Sequence, residues 1–250
     1  MTKIRKKYVR RKADVPISIK EKILDFFYPR RCVICDDVTD DKVSGVCHDC
    51  VSQIVYIKPP FCMKCGKQLD DETEYCRDCK NKNHNYVQGT ALYEYGSMAD
   101  SLFRFKYAGR GEYALFFAKE LWQRRGAWLF SLKADALIPV PVHPSRKRKR
   151  GYNQAELIAR ELSRLTGIPV NTKLIIRSKK TLPQKELTEK QRQNNLKKAF
   201  KILQNDVKLN TIVIVDDIYT TGSTVDAMSS LLLQAGIGRV YYMALAVGKG

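Results

Sequence analysis

The sequence predicts an α/β protein, an open parallel sheet with helices on both faces, preceded by a small cysteine-rich module. Two observations carry this prediction. All eight cysteines fall between Cys32 and Cys79. From about Tyr86 onward, continuous apolar runs alternate with amphipathic segments, as expected of parallel strands connected by helices. We therefore expect a basic tail at 1–18, a helix plus cysteine module at 19–85 and an α/β domain at 86–250.

The amino-terminal segment is basic and carries no export signature. Residues 1–12 hold seven Lys/Arg and no acid, and no apolar run follows them, so a secretory signal is not expected. The mean hydropathy is −0.36, and no apolar run approaches the roughly 20 residues of a spanning helix. We expect no membrane insertion and a cytoplasmic location. Apolar residues from Ile19 to Phe27 recur at helical intervals before Pro29, which predicts a helix packed on the cysteine module.

The cysteines form four CxxC pairs separated by gaps of 11, 11 and 10 residues. Two residues between thiolates allow one tight turn to present both sulfurs to one ion, and two such turns complete a tetrahedral zinc site. A redox pair or a set of disulfides is the alternative, but four evenly spaced pairs without an export signal favour zinc. The sequence predicts two structural Zn²⁺ sites, with the ligands Cys32, Cys35, Cys47, Cys50, Cys62, Cys65, Cys76 and Cys79.

The spacing leaves the pairing of these turns open. Sequential pairing gives two zinc ribbons separated by Pro59–Pro60, whereas a cross-braced pairing joins the first turn with the third and the second with the fourth. His48 and His84 lie within or just after the module, but four thiolates per ion make neither necessary. We interpret both histidines as bystanders.

The second part of the chain contains the strands and helices of the predicted sheet. One helix carries an apolar stripe from Ala155 to Leu165 and is capped by Gly167. A second runs from about Ser223 to Gln234 and ends at Gly236. The predicted strands are ALYEY (91–95), ALIPVPV (136–142), TIVIV (211–215) and RVYYMALAV (239–247).

The charge is unevenly distributed along the chain. Residues 32–79 hold five Lys/Arg against ten Asp/Glu, whereas residues 80–250 hold 29 against 13, and the whole chain carries +19. Such a basic body favours a polyanion partner, either nucleic acid or a phosphorylated small ligand. A solvated basic surface without a partner is the alternative.

The segment IVIVDDIYTTGST (212–224) places two carboxylates where a strand ends and small hydroxyl residues where a helix begins. Ligands bind beyond the carboxyl ends of such strands, and a helix N-terminus binds phosphate. Asp216 and Asp217 would repel that phosphate, but they can accept hydrogen bonds from vicinal hydroxyls or hold Mg²⁺ through water. The pattern indicates a ribose 5-phosphate. A Walker B strand is the rival, but the sequence contains no GxxxxGK[ST] loop.

The segment VIVDDIYTTGST (213–224) resembles the phosphoribosyl-pyrophosphate (PRPP) motif of type I phosphoribosyltransferases. The chain from about Ile23 onward resembles the ComF competence proteins, which join a zinc ribbon to a domain of that fold. The similar segments are FYPRRCVIC (27–35), FKYAGR (105–110), PVPVHPSRKRKRGYNQAELIAR (139–160) and RSKKTLPQKELTEKQRQNNLKKAF (177–200). The resemblance implies a type I phosphoribosyltransferase-like open parallel sheet behind a double zinc ribbon.

The resemblance also implies roles for individual residues. Asp216 and Asp217 would be the catalytic pair that contacts the ribose of Mg²⁺-bound PRPP, and the residues that wrap its 5′-phosphate would be Thr220, Thr221, Gly222, Ser223 and Thr224. The cations available for the diphosphate, or alternatively for a DNA backbone, are Lys106, Arg146, Lys147, Arg148, Lys149 and Arg150. A mobile flap over the site would span 179–192, and the flap-region candidates are Gln184, Arg192 and Asn195.

Three functions remain open from the sequence. The resemblance implies a competence protein that handles single-stranded DNA in natural transformation, beside a DNA-translocating ATPase. A metabolic phosphoribosyltransferase acting on a base or amine is the second hypothesis. A zinc-ribbon adaptor that keeps the sheet only as a scaffold is the third. The complete hydroxyl and carboxylate set of residues 216–224 argues against this last one, because a scaffold has no need for it. No acceptor is readable from the sequence.

Overall fold

A computed structural model describes residues 29–39, 44–178, 199–203 and 208–248 of the chain. The basic tail and the helix expected before Pro29 lie outside these residues. The proposed division at residues 18 and 85 stays a prediction.

Within the described residues, a four-stranded sheet forms the centre of the molecule, in the spatial order β1-β6-β5-β2. All three of its pairings are parallel, as the apolar runs predicted. A separate antiparallel pair, β3 with β4, lies outside this sheet. The strands are β1 (Gly89–Glu94), β2 (Ala136–Pro139), β3 (Ile175–Arg177), β4 (Phe200–Ile202), β5 (Thr211–Tyr219) and β6 (Arg239–Val247).

The bounds of three strands differ from the sequence prediction. Strand β1 spans Gly89–Glu94 rather than 91–95, because Tyr95 begins a helix. Strand β2 ends at Pro139 rather than Val142; the Val140 N–H still donates to the Val215 carbonyl at 2.9 Å, but Pro141 has no N–H to continue the ladder. Strand β5 continues beyond TIVIV because β6 runs alongside it as far as Tyr219. The two carboxylates therefore lie within a paired strand rather than just after one.

Helices cover both faces of the sheet, as predicted. Helix α6 (Gln154–Thr166) buries the predicted stripe from Ala155 as far as Leu162, while Leu165 at its end is half-buried. Gly167 caps the helix with a φ of +79°. Helix α7 matches its predicted bounds. The helices are α1 (His48–Val51), α2 (Arg77–Asn81), α3 (Tyr95–Tyr107), α4 (Tyr113–Ser131), α5 (Pro144–Arg150), α6 (Gln154–Thr166) and α7 (Ser223–Gln234).

The alternation of side chains along β5 separates two hydrophobic cores. Val213 and Val215 face the core that contains α3, α4 and α6, whereas Ile212 and Ile214 face the core that contains α7. The cysteine module is divided between these cores. Cys32 to Cys50 belong to the first core, and Cys62 to Cys65 belong to the second.

The second half of the cysteine module approaches strand β1 closely at Gly66. Its φ is +68°, and a Cβ at this position would lie 2.6 Å from the Gly89 carbonyl oxygen and 2.8 Å from the Thr90 Cα. The Gly89 N–H donates to the Lys64 carbonyl at 2.8 Å, which joins the module to the edge of the sheet. Only glycine satisfies both the backbone angle and this contact.

We expect Gly66→Ala to lower the free energy of unfolding by about 3 kcal/mol, because backbone strain and a backbone clash add together. Gly109→Ala is the matched control: its φ is +73°, but no atom lies within 4 Å of the added Cβ. The control should lose only about 1 kcal/mol. Equal losses in denaturant titrations of the two variants would contradict the contact.

Candidate functional site

The eight cysteines form two clusters of four, each with its sulfur atoms within 4.8 Å of one another. The pairing is sequential, so the cross-braced alternative is wrong. Tetrahedral zinc with Zn–S bonds of about 2.3 Å places sulfurs about 3.8 Å apart. The observed Cys35–Cys47 and Cys65–Cys76 sulfur distances are 3.9 and 3.7 Å. We call them the first cluster (Cys32, Cys35, Cys47, Cys50) and the second cluster (Cys62, Cys65, Cys76, Cys79).

The surroundings of both clusters fit thiolate ligands. The Cys47 N–H points to the Cys32 sulfur, and the Cys76 N–H points to the Cys62 sulfur, each at 3.3 Å. Such donors stabilise the negative charge that zinc-bound sulfur carries. None of the eight cysteines forms a disulfide, and in the described part of the chain no histidine joins either cluster. The donor sets are therefore those of two structural zinc ribbons.

The carboxylate pair lies at the carboxyl end of the central strand β5. The Asp217 N–H donates to an Asp216 carboxylate oxygen at 2.8 Å, and the Lys106 ammonium lies 2.9 Å from an Asp217 oxygen. Residues Thr220–Thr224, which we call the hydroxyl loop, follow the strand and open helix α7. Gly222 has a φ of +75° at the helix N-cap. The N–H groups of the first turn of α7 are therefore presented beside the two carboxylates.

Basic side chains surround this end of β5 and enclose a cavity of about 370 Å³, the cationic cavity. Its lining includes the carboxylate pair, Thr220 and Thr224, together with Lys106, Arg146, Arg150 and Arg177. Cations, carboxylates and the hydroxyl loop thus converge on one space. Lys106, Arg146 and Arg150 are cations that the sequence predicted for this site, whereas Arg177 was not predicted.

The five consecutive basic residues from Arg146 to Arg150 are not equivalent, because they lie on helix α5. Arg146 and Arg150 are four residues apart, share one helix face and line the cavity. Lys147 pairs instead with Glu156 at 3.1 Å. Arg148 and Lys149 are exposed. Only part of the predicted cation cluster therefore faces the carboxylates.

Burial raises the pKa of Asp216 to about 8, and the neighbouring Asp217 carboxylate adds to the rise. The Asp217 N–H and the Lys106 ammonium oppose it without cancelling it. Burial likewise lowers the pKa of Arg177, and the nearby Arg146 lowers it further. The site therefore concentrates partly desolvated charges of both signs, as binding sites for charged ligands do.

The sequence analysis missed several residues near the site. Asn153 and Gln154 line the cavity at the start of α6 and donate to the Val140 and Phe105 carbonyls. His84 was interpreted as a bystander; it is not a cluster ligand, but its ring is buried against α7. No local pattern marks it. The flap-region candidates Gln184, Arg192 and Asn195 lie outside the described residues.

Comparison with known proteins is consistent with this architecture. The family model for a double zinc ribbon domain matches residues 23–80, and the model for a phosphoribosyl transferase domain matches residues 144–248. The fold and the cysteine clusters thus define a double zinc ribbon joined to a phosphoribosyltransferase domain.

Full-length relatives share both parts. "Competence protein F" of Haemophilus influenzae is 31% identical over 226 residues, covering 88% of this chain and 98% of that protein. "DNA utilization protein YhgH" of Escherichia coli K12 is 30% identical over 207 residues, covering 80% and 89%. "Competence protein ComFC" of Bacillus subtilis is 28% identical over 226 residues, covering 82% and 89%. The chain belongs to the ComF family of these competence and DNA utilization proteins.

Among the described residues, no helix combines the length and the apolar character needed to cross a bilayer.

The raised pKa of Asp216 predicts a pH-dependent stability. Folded protein keeps the proton up to about pH 8, whereas an unfolded aspartate ionises near its ordinary pKa of about 3.9. Folding takes up a proton between these values, so this group's contribution to stability falls as the pH rises. The melting temperature of Asp216→Asn, expressed relative to that of wild type, should therefore rise as the pH is raised from about 5 to about 9.

The control is Asp100→Asn, which changes an exposed aspartate of helix α3. Its melting temperature relative to wild type should stay constant over the same pH range. If the difference in melting temperature between Asp216→Asn and wild type is also constant over this pH range, the pKa of Asp216 is not raised.

Proposed function

We propose that this chain is a competence protein that handles single-stranded DNA, and that its phosphoribosyltransferase domain binds PRPP with Mg²⁺. Its relatives named for competence and DNA utilization support the first part. The observation that carries the second part is the convergence of the hydroxyl loop, the carboxylate pair and cavity-lining cations on one space.

Each part of PRPP has a chemical counterpart in the cationic cavity. The hydroxyl loop offers N–H and O–H donors to the 5′-phosphate, as helix N-termini do. Asp216 and Asp217 accept hydrogen bonds from the two ribose hydroxyls. Lys106, Arg146 and Arg150 line the same cavity and supply cations for the diphosphate, whose charge grows if the glycosidic bond breaks. The carboxylates also suit Mg²⁺, which binds hard oxygen ligands and retains water.

The PRPP assignment predicts that Asp216→Asn combined with Asp217→Asn weakens PRPP binding by about 100-fold or more. The substitutions replace the two carboxyl groups that accept from the ribose hydroxyls by weaker amide acceptors, at about 1–2 kcal/mol each. The control is Asp135→Asn, because Asp135 accepts the N–H groups of Asn210 and Thr211 at the opposite end of β5. Titration calorimetry should give wild-type affinity for the control. Unchanged PRPP binding by the double variant would refute the assignment.

The single-stranded DNA hypothesis rests on a surface that adjoins the cationic cavity and shares Tyr107 and Arg150 with it. Phe103 and Tyr107 are 59% and 58% exposed on helix α3, and their ring centroids are 5.1 Å apart. The Arg150 guanidinium lies 4.7 Å from the Tyr107 ring centroid, and the exposed Arg148 and Lys149 precede it on α5. We call these five residues the aromatic–basic face. Exposed rings beside cations bind single strands by stacking and by phosphate contact.

Tyr152, the aromatic residue next to the basic run in sequence, does not extend this face. Its hydroxyl donates to the Phe105 carbonyl at 2.7 Å, and its ring is half-buried. The second ring of the face is therefore Phe103, which was not predicted from the sequence. Phe103 and Tyr107 are four residues apart, a spacing that places two side chains on one surface of a helix.

We expect Phe103→Ala plus Tyr107→Ala to weaken single-stranded DNA binding about tenfold or more, because each stacked base contributes about 1–3 kcal/mol. Arg148→Ala plus Lys149→Ala should instead reduce the slope of log affinity against log salt by about 1.4, at about 0.7 per phosphate contact. Fluorescence anisotropy measures both effects.

Phe130→Ala is the control for the stacking variant, since Phe130 is 78% exposed at the end of helix α4. It should bind DNA as wild type does. Wild-type protein without salt-dependent affinity for single-stranded DNA would refute direct DNA binding.

One observation favours phosphoribosyl transfer as a second candidate function. A cavity of about 1030 Å³ lies between the second zinc ribbon and the carboxyl edge of the sheet. Gln68 and Asp70 line it from the ribbon, Tyr95 lines it from helix α3, and Ile218 and Thr220 line both this cavity and the cationic cavity. A base or amine bound there would adjoin the ribose. Release of diphosphate from PRPP on addition of a nucleobase would support this function over PRPP binding without phosphoribosyl transfer.

The remaining parts of the functional hypothesis rest on the family resemblance. They are a cytoplasmic location and a DNA-translocating ATPase as partner. Both stay predictions.

A further inference from the structure

We propose that the second zinc ribbon positions the hydroxyl loop through His84 and three buried tyrosines, so that zinc in the second cluster and a phosphate ligand in the loop stabilise each other. The first ribbon has no part in this coupling. The inference rests on the proposed phosphate-binding role of the hydroxyl loop.

The coupling begins at the second cluster itself. The Tyr242 hydroxyl donates to the carbonyl of the cluster ligand Cys65 at 2.5 Å. The Tyr242 ring stacks on Tyr219, with centroids 4.6 Å apart and planes inclined by 5°. Tyr219 is the last residue of β5 and directly precedes the hydroxyl loop. One ring stack therefore separates the zinc-binding backbone from the start of that loop.

A second set of contacts reaches the loop from the segment that follows the cluster. The Tyr86 and Tyr219 hydroxyls are 2.8 Å apart, and the His84 ring stacks on Tyr86 with centroids 4.9 Å apart. The side chain of His84 is 1% exposed, and its Nδ1 lies 2.8 Å from an Asp226 carboxylate oxygen. Because a carboxylate only accepts hydrogen bonds, Nδ1–H is the donor.

Asp226 fixes the start of helix α7, where the hydroxyl loop ends. Its N–H donates to the Gly222 carbonyl at 2.8 Å, and its carboxylate also accepts the Asn85 N–H at 3.1 Å. The Lys82 ammonium donates to the Thr221 carbonyl at 3.1 Å. Donors from residues 82–85 thus hold both the loop backbone and the first turn of the helix whose N–H groups face the cavity.

The loop leaves little room to move away from this support. A Cβ at Gly222 would lie 2.5 Å from the Tyr219 hydroxyl and 3.0 Å from the His84 Cε1. The loop backbone therefore packs directly on the two side chains that connect it to the ribbon. A shift of either side chain displaces N–H groups that must lie within hydrogen-bond distance of a phosphate.

The first ribbon contacts a different part of the molecule. The Tyr113 hydroxyl donates to an Asp36 carboxylate oxygen at 2.5 Å and lies 3.2 Å from the carbonyl oxygen of the cluster ligand Cys32, and Arg110 binds Asp36 at 2.7 Å. Tyr113 and Arg110 belong to the segment from α3 to α4, on the other face of the sheet. Tyr113 is therefore the control for Tyr242: each is buried with its hydroxyl near a zinc-ligand carbonyl, but only Tyr242 stacks beside the hydroxyl loop.

The variant that tests the coupling is His84→Phe, which keeps the ring on Tyr86 and removes the donor to Asp226. We expect PRPP affinity to fall about five- to tenfold. His84→Asn, which restores an N–H near the Nδ1 position, should return affinity to within about twofold of wild type. Tyr113→Phe should bind PRPP as wild type does, even where it lowers the melting temperature as much as His84→Phe.

Hydrogen exchange separates failure of this inference from failure of the PRPP assignment. Amides of residues 220–224 should exchange faster in His84→Phe and at the wild-type rate in Tyr113→Phe, with no ligand present. If wild-type protein does not bind PRPP, the ligand assignment is refuted. The hydrogen exchange of residues 220–224 still tests the coupling in that case, because it is measured without ligand. Unchanged exchange in His84→Phe, or equal changes in both variants, overturns the inference.

Zinc release provides the reciprocal test, because coupling between two sites acts in both directions. A chromogenic chelator titrated to equilibrium should remove both zinc ions from wild-type protein, and saturating PRPP should protect one of the two by raising its zinc affinity about fivefold. His84→Phe should abolish this protection. Protection of neither ion, or of both equally, contradicts the proposal.

Discussion

The position of strand β5 between β2 and β6 is the constraint on which the candidate site depends. Hydrogen bonds on both edges and apolar cores on both faces fix residues Thr211–Val215. The pairing with β6 continues to Tyr219, so Asp216 and Asp217 are held by backbone rather than by their own side chains. The hydroxyl loop then begins directly after Tyr219, whose backbone is fixed by the pairing with β6. This short loop can therefore form a binding surface without a large contribution from the packing of its own side chains.

The carboxylate pair shows that this position is not optimised for stability. Two adjacent acids in a partly desolvated cavity oppose each other, and burial raises the pKa of Asp216 to about 8. Lys106 offsets part of this, since its ammonium lies 2.9 Å from Asp217. A fold that only needed a stable strand end would place neutral residues there. The unfavourable charge is understandable if a ligand with hydroxyl donors, or a cation, completes the site.

The two zinc ribbons have different relations to this site although their sequences are alike. The first packs on helices α3 and α4 on one face, and the second packs on Tyr86 and Tyr242 on the other. The aromatic–basic face adjoins the cationic cavity, since Tyr107 and Arg150 line the cavity and also belong to the face. The proposed DNA and PRPP sites would therefore share these two side chains.

The sequence alone determined the features that are encoded locally. Apolar runs specified β5 and β6, periodicity specified α6 and α7, and CxxC spacing specified the zinc ligands, since each depends on neighbours within one turn or one strand. Only the tertiary structure decided which cysteine pairs share an ion, which cations of α5 face the carboxylates, and that His84 supports the hydroxyl loop. Those outcomes depend on helix phase and on contacts between residues as far apart as His84 and Asp226, for which a single sequence contains no local signal.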